Sequence, residues 1–435
     1  MSSIEHRTVI VIGGGPAGLP LVAVLGGWQP FFRPATTFSR RYGPLADALQ
    51  QVDGSLLGLD FRDLVARGIA PVDLFRALHH PRKLFEDLDQ VAMAFRREQG
   101  VDTLLLTREE VGGLWNNAPR NLLTLSPGQW MEFAFYPLAQ YAREEGLEID
   151  VNALIKKTEL IDYYHRIPKK FAVEDQVRTW QDVYEVTPHE RGFKVRSRDV
   201  KTGDESTYTC TYLVYATGQR AKLRQLEVEG EDQPFVTPFY DRPEDFPGER
   251  VMVVGGGRSA DWAATELHDA GKQVVYSMRQ DSSIHWQLIN DSLYLPYYQR
   301  IADILRAASP RMEALYDTRI EKIDSEGGVA LQTADGVRTV EVDHVVKEIG
   351  GWADYSLLQG FGPLSLFDKR DAYRFQVHQL QTHAHSYESI DIPNLYAGGY
   401  LAQDIGLVVM AMHGTTYAIA GDIMQKEGVL NTYAI

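Results

Sequence analysis

The feature that most restricts the fold is an apolar strand that runs into a glycine turn, which this chain contains twice. Residues 8–20 read TVIVIGGGPAGLP and residues 250–262 read RVMVVGGGRSADW. In each copy a β-rich stretch meets three glycines and a helical stretch follows, which is the order of a Rossmann βαβ unit. The two copies predict an α/β protein with two Rossmann-like dinucleotide-binding domains.

Three small residues in each copy have distinct uses: a tight turn, a close approach of backbone to a pyrophosphate, and packing of helix on strand. They are Gly13, Gly15 and Gly18 in the first copy, and Gly255, Gly257 and Ala260 in the second. Phosphates would bind the unpaired N–H groups and the positive dipole at the start of each helix.

The strand after the second turn, QVVYSMRQ, indicates which dinucleotide binds there. It carries Arg279 where an NAD site usually has an acid for the ribose hydroxyls. Because an arginine pairs well with a 2′-phosphate, the second site is predicted to take NADPH. Arg258, inside the turn, is a further candidate for a phosphate contact.

The first copy departs from the pattern at the ribose. No Asp or Glu occurs between Gly13 and Asp47, and we expect WQPFFRP, residues 28–34, to occupy the strand that would carry the acid. Pro20, early in the helix, also removes one backbone donor. The sequence thus predicts a dinucleotide fold but leaves the ribose contact unexplained.

Three later segments are suited to a flat ring system and its attached chain. Residues 109–131 join an acid pair to two glycines, Trp115 and a loop that contains Gln129. LVYATGQ, residues 213–219, is a buried strand that ends in small residues. Asp404 lies in IPNLYAGGYLAQDIGL, residues 392–407, ahead of a helix predicted from about His413 to Met424.

With these segments the sequence resembles the two-dinucleotide-binding-domain flavoproteins and, among them, the class B type of flavin monooxygenase. It resembles more closely the oxidative-stress-induced growth inhibitor family. The resemblance is carried by GGGRSADWAATEL (255–267, with Ser259 and Asp261 in matching places), GSLLGLDFRDL (54–64), APVDLFRALHHP (70–81), LSPGQWM (125–131), the Tyr163–Tyr164 pair and LPYYQ (295–299).

The resemblance implies an FAD domain interrupted by an inserted NADPH domain. It also implies hydride transfer from NADPH to FAD, followed by oxygenation of a nitrogen, sulfur or carbonyl of a small organic substrate through a C4a-peroxyflavin formed with molecular oxygen. Carried over by position, the FAD residues are Gly13, Gly15, Gly18, Gly113, Trp115, Gln129, Gly218 and Asp404. The NADPH residues are Gly255, Gly257, Ser259 and Arg279. No residue stands out as a catalytic acid or base.

We place the FAD domain at residues 1–222 and 346–435, with a helical insertion at about 45–98, and the NADPH domain at 223–345. Residues 182–218 alternate in polarity and turn at RG and KTGD, which predicts a β-meander.

Composition excludes several other classes. A net charge of −15 over 435 residues argues against binding nucleic acid. The single cysteine, Cys210, forbids an internal disulfide or a redox pair and fits a cytoplasmic protein. No apolar run is long enough to span a membrane. HQLQTHAHS, residues 378–386, has a His-x-His pair without a matched carboxylate or cysteine, so we expect no metal site.

We consider three alternatives to a monooxygenase, of which the first is disfavoured and the other two remain open. A disulfide reductase shares the two-site plan but needs the cysteine pair that this chain lacks. An NADPH oxidase or quinone reductase would use the same cofactors, and nothing in the sequence separates it. A non-catalytic, redox-sensing flavoprotein is the third. The sequence also leaves homo-oligomer formation and the substrate open.

Overall fold

The structure, a computed structural model, describes residues 4–80, 91–370, 376–406 and 409–435. The helices are α1 (Leu19–Leu25), α2 (Thr36–Arg41), α3 (Gly43–Gln50), α4 (Phe61–Ala66), α5 (Pro71–His79), α6 (Leu138–Glu145), α7 (Lys157–Lys170), α8 (Arg258–Asp269), α9 (Ser282–Asp291), α10 (Pro296–Arg306) and α11 (Val409–Lys426).

The strands are β1 (Glu5–Ile12), β2 (Trp28–Phe32), β3 (Met93–Arg97), β4 (Thr103–Leu106), β5 (Leu123–Pro127), β6 (Leu154–Lys156), β7 (Val177–Arg178), β8 (Gln181–His189), β9 (Gly192–Asp199), β10 (Glu205–Tyr215), β11 (Lys222–Leu223), β12 (Val236–Thr237), β13 (Arg250–Val254), β14 (Gln273–Ser277), β15 (Met312–Leu315), β16 (Arg319–Ile323), β17 (Gly328–Thr333), β18 (Gly336–Glu341), β19 (His344–Lys347), β20 (Gly351–Trp352), β21 (Leu366–Arg370), β22 (Gln376–Leu380) and β23 (Leu395–Ala397).

The larger sheet is built around β1 and has the order β7-β4-β1-β10-β9-β8, with β23 also paired to β10. The apolar half of β1 is buried because a parallel strand in the middle of a sheet is covered on both faces. Strand β10 runs parallel to β1 and antiparallel to β9. The predicted β-meander is confirmed as β8, β9 and β10.

The smaller sheet has the order β12-β19-β13-β14-β15, and all its pairings are parallel. Its central strand, β13, leads into the second glycine turn, just as β1, inside the larger sheet, leads into the first. A three-stranded antiparallel sheet, β16-β17-β18, packs its apolar side chains against it. The predicted α/β class with two Rossmann-like units, the second interrupting the first, is confirmed.

The segment between α1 and β4 corrects one prediction. WQPFF forms β2, which pairs antiparallel with β3 and not with β1. The strand beside β1 is β4, with Ile12 opposite Leu106. WQPFFRP therefore does not occupy the ribose-acid position, because residues 28–101 are an insertion ahead of the true second strand.

The predicted helical insertion at about 45–98 is present as α3, α4 and α5 but ends in strand β3. Residues 81–90 of that prediction lie outside the described residues. Pro20 is accommodated in the first turn of α1, where a missing N–H costs little. None of the helices among the described residues combines the length and apolarity that crossing a bilayer requires.

Candidate functional site

The first glycine turn is closed by contacts that no larger residue would permit. Gly13 has φ +113°, and a Cβ on it would lie 2.4 Å from the Ala216 carbonyl oxygen. A Cβ on Gly18 would lie 1.9 Å from the Gly13 carbonyl oxygen. A Cβ on Gly113 would lie 2.8 Å from the Gly15 Cα, so these two backbones touch. The LVYATG and EEVGG segments thus meet the first turn.

The end of β4 supplies the acid that the sequence interpretation lacked. Thr107, which follows β4, lies against Gly14, and Glu109 is half-buried on the wall of the adjoining cleft. Both carboxylate oxygens of Glu109 accept hydrogen bonds from Asn117 Nδ2, at 3.0 and 2.9 Å. The signal was present as the acid pair before GGLW, but the intervening insertion hid its relation to β1.

The second glycine turn repeats this packing. Gly255 has φ +140°, and a Cβ on it would lie 2.3 Å from the Glu348 carbonyl oxygen. Gly257 caps α8. The Gln280 side chain donates to the Gly256 carbonyl at 2.8 Å and closes the turn from the side.

The SPGQWM loop is held in place by the two adjacent tyrosines of α7. Tyr164 donates its hydroxyl hydrogen to the Met131 carbonyl at 3.0 Å, and Tyr163 donates to the Tyr136 carbonyl at 2.6 Å. Tyr163 also accepts from the Phe133 N–H. Both tyrosines are fully buried, so this part of the resemblance reflects support for the loop rather than contact with a ligand.

Both glycine turns open into one continuous cleft of about 2770 Å³. Its walls include Gly13, Gly15, Gly113, Trp115, Gly218 and Asp404 at the first turn, and Gly255, Gly257, Ser259 and Arg279 at the second. Two residues predicted from the sequence lie elsewhere. Gly18 packs beneath the turn, and Gln129 is buried behind the cleft wall while its neighbour Trp130 forms part of it.

Arg224 and Arg279 both line the cleft near the second turn, as does Arg258; the sequence had indicated Arg279 and Arg258 but not Arg224. Arg224, just after β11, stands 5.1 Å over the Trp352 ring. Burial and the positive charge of Arg279 lower the pKa of Arg224. A multiply charged anion bound between two such cations would relieve their mutual repulsion.

The aromatic stretch 285–299 is divided between core and cleft. Tyr294 and Tyr297 line the cleft. His285 is fully buried and shares a hydrogen bond of 2.7 Å with Asp261, which also accepts from the Tyr276 and Tyr298 hydroxyls. Asp261 therefore holds α8, β14 and α10 together and does not face the cleft.

Comparison with known proteins places this geometry in context. Mouse oxidative stress-induced growth inhibitor 1 is 25% identical over 98% of this chain and 97% of its own length. Bacillithiol disulfide reductase Bdr from Staphylococcus aureus superposes with a TM-score of 0.65 at 18% identity, over 98% of this chain and all of that one. Ornithine hydroxylase from Pseudomonas aeruginosa superposes with a TM-score of 0.61 at 14% identity, over 97% and 99% of the two chains.

The resemblance to the growth inhibitor family is thereby confirmed, and the solved structures share the two-unit fold. Residues 90–399, most of the chain, match the family described as pyridine nucleotide-disulphide oxidoreductase. FAD and NADPH are the cofactors. The chain, with its paired glycine turns on one cleft, belongs to the pyridine nucleotide-disulphide oxidoreductase family.

Proposed function

We propose that this protein is an FAD- and NADPH-dependent monooxygenase that oxygenates a nitrogen, sulfur or carbonyl of a small organic substrate. The observation that carries the proposal is the single cleft onto which both glycine turns open. Cofactors held at these two turns would share the same space, which hydride transfer from NADPH to FAD requires. Relatives named as monooxygenases support oxygenation of a substrate as the reaction.

The residues at the first turn fit the adenosine and phosphate portions of FAD. The close backbone contacts of Gly15 and Gly113 leave space where side chains would block a pyrophosphate, while the Gly13 N–H donates to the Leu106 carbonyl at 2.9 Å and holds the turn. Thr217 Oγ1 is buried on this wall without a hydrogen-bond partner. Glu109 takes the ribose-binding role that we had left unassigned.

We assign the remaining predicted residues to the cofactors as follows. Trp115, Gly218 and Asp404 line the FAD part of the cleft, Gly18 closes its turn, and Gln129 supports the loop that ends in Trp130. Gly257 and Ser259 bind the NADPH pyrophosphate at the start of α8, and Arg279 with Arg224 binds its 2′-phosphate. Domain boundaries at residues 1–222, 223–345 and 346–435 go with this assignment.

When both are bound, NADPH supplies a hydride to FAD, and reduced FAD activates molecular oxygen. The chain's own contribution is positioning and exclusion of water. Trp115 and Trp130 give the cleft apolar walls, and a dry site limits the loss of reducing equivalents as hydrogen peroxide.

Reduction of a disulfide through a dithiol is a poor alternative for this chain. Cys210, its only cysteine, lies in the middle of β10 and is fully buried. Burial raises the pKa of its thiol, so the reactive thiolate is disfavoured. We expect a Cys210→Ala variant to oxidise NADPH at the wild-type rate.

The deciding experiment starts with the full chain reduced by NADPH without oxygen. It is then mixed with oxygenated buffer while the flavin spectrum and released hydrogen peroxide are followed. A monooxygenase gives a delayed return of oxidised flavin and a peroxide yield that falls when a suitable amine, sulfide or ketone is added.

Immediate reoxidation with one peroxide per NADPH, unchanged by any member of such a panel, would identify an oxidase. Faster turnover with added quinone would identify a quinone reductase. A purified protein that takes up neither FAD nor NADPH would point to the non-catalytic alternative.

A further inference from the structure

A second group of polar side chains lies in the core beside the cleft, where the cofactor chemistry does not use it. His79 ends α5, His80 follows it, and Glu132 lies just after the SPGQWM loop. Their exposed fractions are 2%, 5% and 6%. One ligand-type atom from each lies within 4.8 Å of the others. We call these three residues the histidine–glutamate cluster.

Part of this cluster has no hydrogen-bond partner. Neither ring nitrogen of His80 makes a hydrogen bond of good geometry, although the Gln129 backbone approaches the ring. The His80 ring is stacked between His79, at 3.9 Å, and Trp130, at 4.9 Å. A buried polar group without a partner is destabilising, because it has lost its hydrogen bonds to water and gained none in return. A ligand that accepts an imidazole lone pair would remove that cost.

The remaining pair already has the spacing of two metal ligands. His79 Nε2 and Glu132 Oε1 share a hydrogen bond of 3.2 Å, and a metal ion bound between them would replace its hydrogen. Two ligands at the usual zinc distances in a tetrahedral site are about 3.3 Å apart. His80 has to move its ring nitrogen inward to complete the set, and that movement gives up only a poorly aligned contact with the Gln129 backbone.

The other polar atoms of the pair are oriented as outer partners orient metal ligands. His79 Nδ1 is 3.3 Å from His413 Nδ1, so one imidazole donates to the other. Glu132 Oε2 accepts from the Leu138 N–H at 2.7 Å.

We propose that His79, His80 and Glu132 bind a divalent transition metal ion of the zinc class, with His413 orienting His79. Two imidazoles and one carboxylate are a donor set that such ions favour over magnesium or calcium. The sequence alone predicted no metal site. The ligands come from two segments, the end of α5 and the residue after the SPGQWM loop, that only the fold brings together.

The test is metal content of the untagged full chain, purified with FAD from zinc-supplemented cells and passed through a chelating buffer. We expect one zinc ion per chain. When cobalt replaces zinc at the site, we expect an absorption band at wavelengths longer than those of the flavin. His80→Phe keeps a ring between His79 and Trp130, and Glu132→Gln keeps an acceptor for the Leu138 N–H. Each variant should retain at least about tenfold less metal than the wild-type protein.

The matched control is a His383→Ala/His385→Ala variant, which removes the His-x-His pair, His383 being exposed and His385 half-buried, and should retain wild-type metal. Flavin content and circular dichroism report whether each variant folds. Wild-type protein without zinc or cobalt after this procedure would overturn the proposal. Metal that is lost from the control but kept by His80→Phe would also overturn it, as surface binding.

Discussion

The two nucleotide units can be compared residue by residue, because strand register aligns them. Ile12 and Val254 each precede a glycine turn and are paired with Leu106 and Ser277 on the second strands. Two positions further on, Arg108 corresponds to Arg279.

The third strands extend the alignment. Ile12 is paired with Tyr215 and Val254 with Lys347, so Gly218 corresponds to Gly350. Their φ angles are +77° and +75°. The duplication thus covers three strands and two turns, well beyond the glycine triplets.

The units differ where each would distinguish its own cofactor. Gly18 corresponds to Ala260, Glu109 to Gln280, and Ala216 to Glu348. The first pair differs in the room beneath the turn, the second in side-chain charge after the second strand, and the third in a buried carboxyl. Under the proposed assignment, the common backbone sets where the phosphates bind and these few side chains select the nucleotide.

The largest expected effect is that of Gly18→Ala, because its Cβ would lie 1.9 Å from the Gly13 carbonyl oxygen. We expect loss of bound FAD and a fall in unfolding free energy of about 3 kcal/mol. Flavin content and chemical denaturation measure both. Ala260→Gly at the matching place should keep FAD, and normal flavin content in Gly18→Ala would show that the turn tolerates a side chain.

The next largest effect is expected from Arg279→Ala, which tests whether Arg279 and Arg224 bind the 2′-phosphate of NADPH. Loss of a charged hydrogen bond of about 2 kcal/mol raises the NADPH Michaelis constant about 30-fold and leaves that for NADH unchanged. Steady-state kinetics with both nucleotides decide it. Arg108→Ala, the matched arginine of the other unit, should change neither, and equal effects on both nucleotides in Arg279→Ala would contradict the assignment.

A smaller effect is expected from Glu109→Gln, which copies the second unit's residue into the first. Loss of about 1.5 kcal/mol weakens FAD retention about tenfold, because an amide accepts less strongly from ribose hydroxyls than a carboxylate does. Flavin release during dilution measures it. The reciprocal Gln280→Glu should weaken NADPH binding by repelling its phosphate, and unchanged FAD retention in Glu109→Gln would place the ribose elsewhere.

The smallest effect concerns the buried Glu348, whose counterpart is Ala216. Burial raises the pKa of Glu348, while Arg220 at 3.9 Å and the Tyr240 N–H oppose the rise. The folded state then holds a proton that the unfolded state loses above about pH 4.5, so stability falls as pH rises from there through the folded pKa.

Glu348→Gln should remove that dependence, and denaturation of both proteins across the same pH range compares them. The wild type should lose stability relative to the variant toward neutral pH. A wild type that instead gains stability over the variant would mean that Arg220 outweighs burial.

Much of the fold was accessible from sequence because the turn positions depend on local chemistry. Gly13 and Gly255 require conformations that favour glycine, and their apolar strands are buried on both faces. Glu109 was missed since its strand follows an insertion, and Arg224 because it lies outside both glycine motifs. The histidine–glutamate cluster depends on how α5 packs beside the SPGQWM loop, which periodicity does not encode.

The insertion of one unit into the other also sets an order for synthesis. The strands of the smaller sheet all lie between residues 236 and 347, so it is able to close while the remainder of the chain is still being made. Strand β1 is made before its parallel neighbour β10, and β10 gains its own parallel partner β23 only at residue 395. The larger sheet is therefore the later of the two to be completed during synthesis.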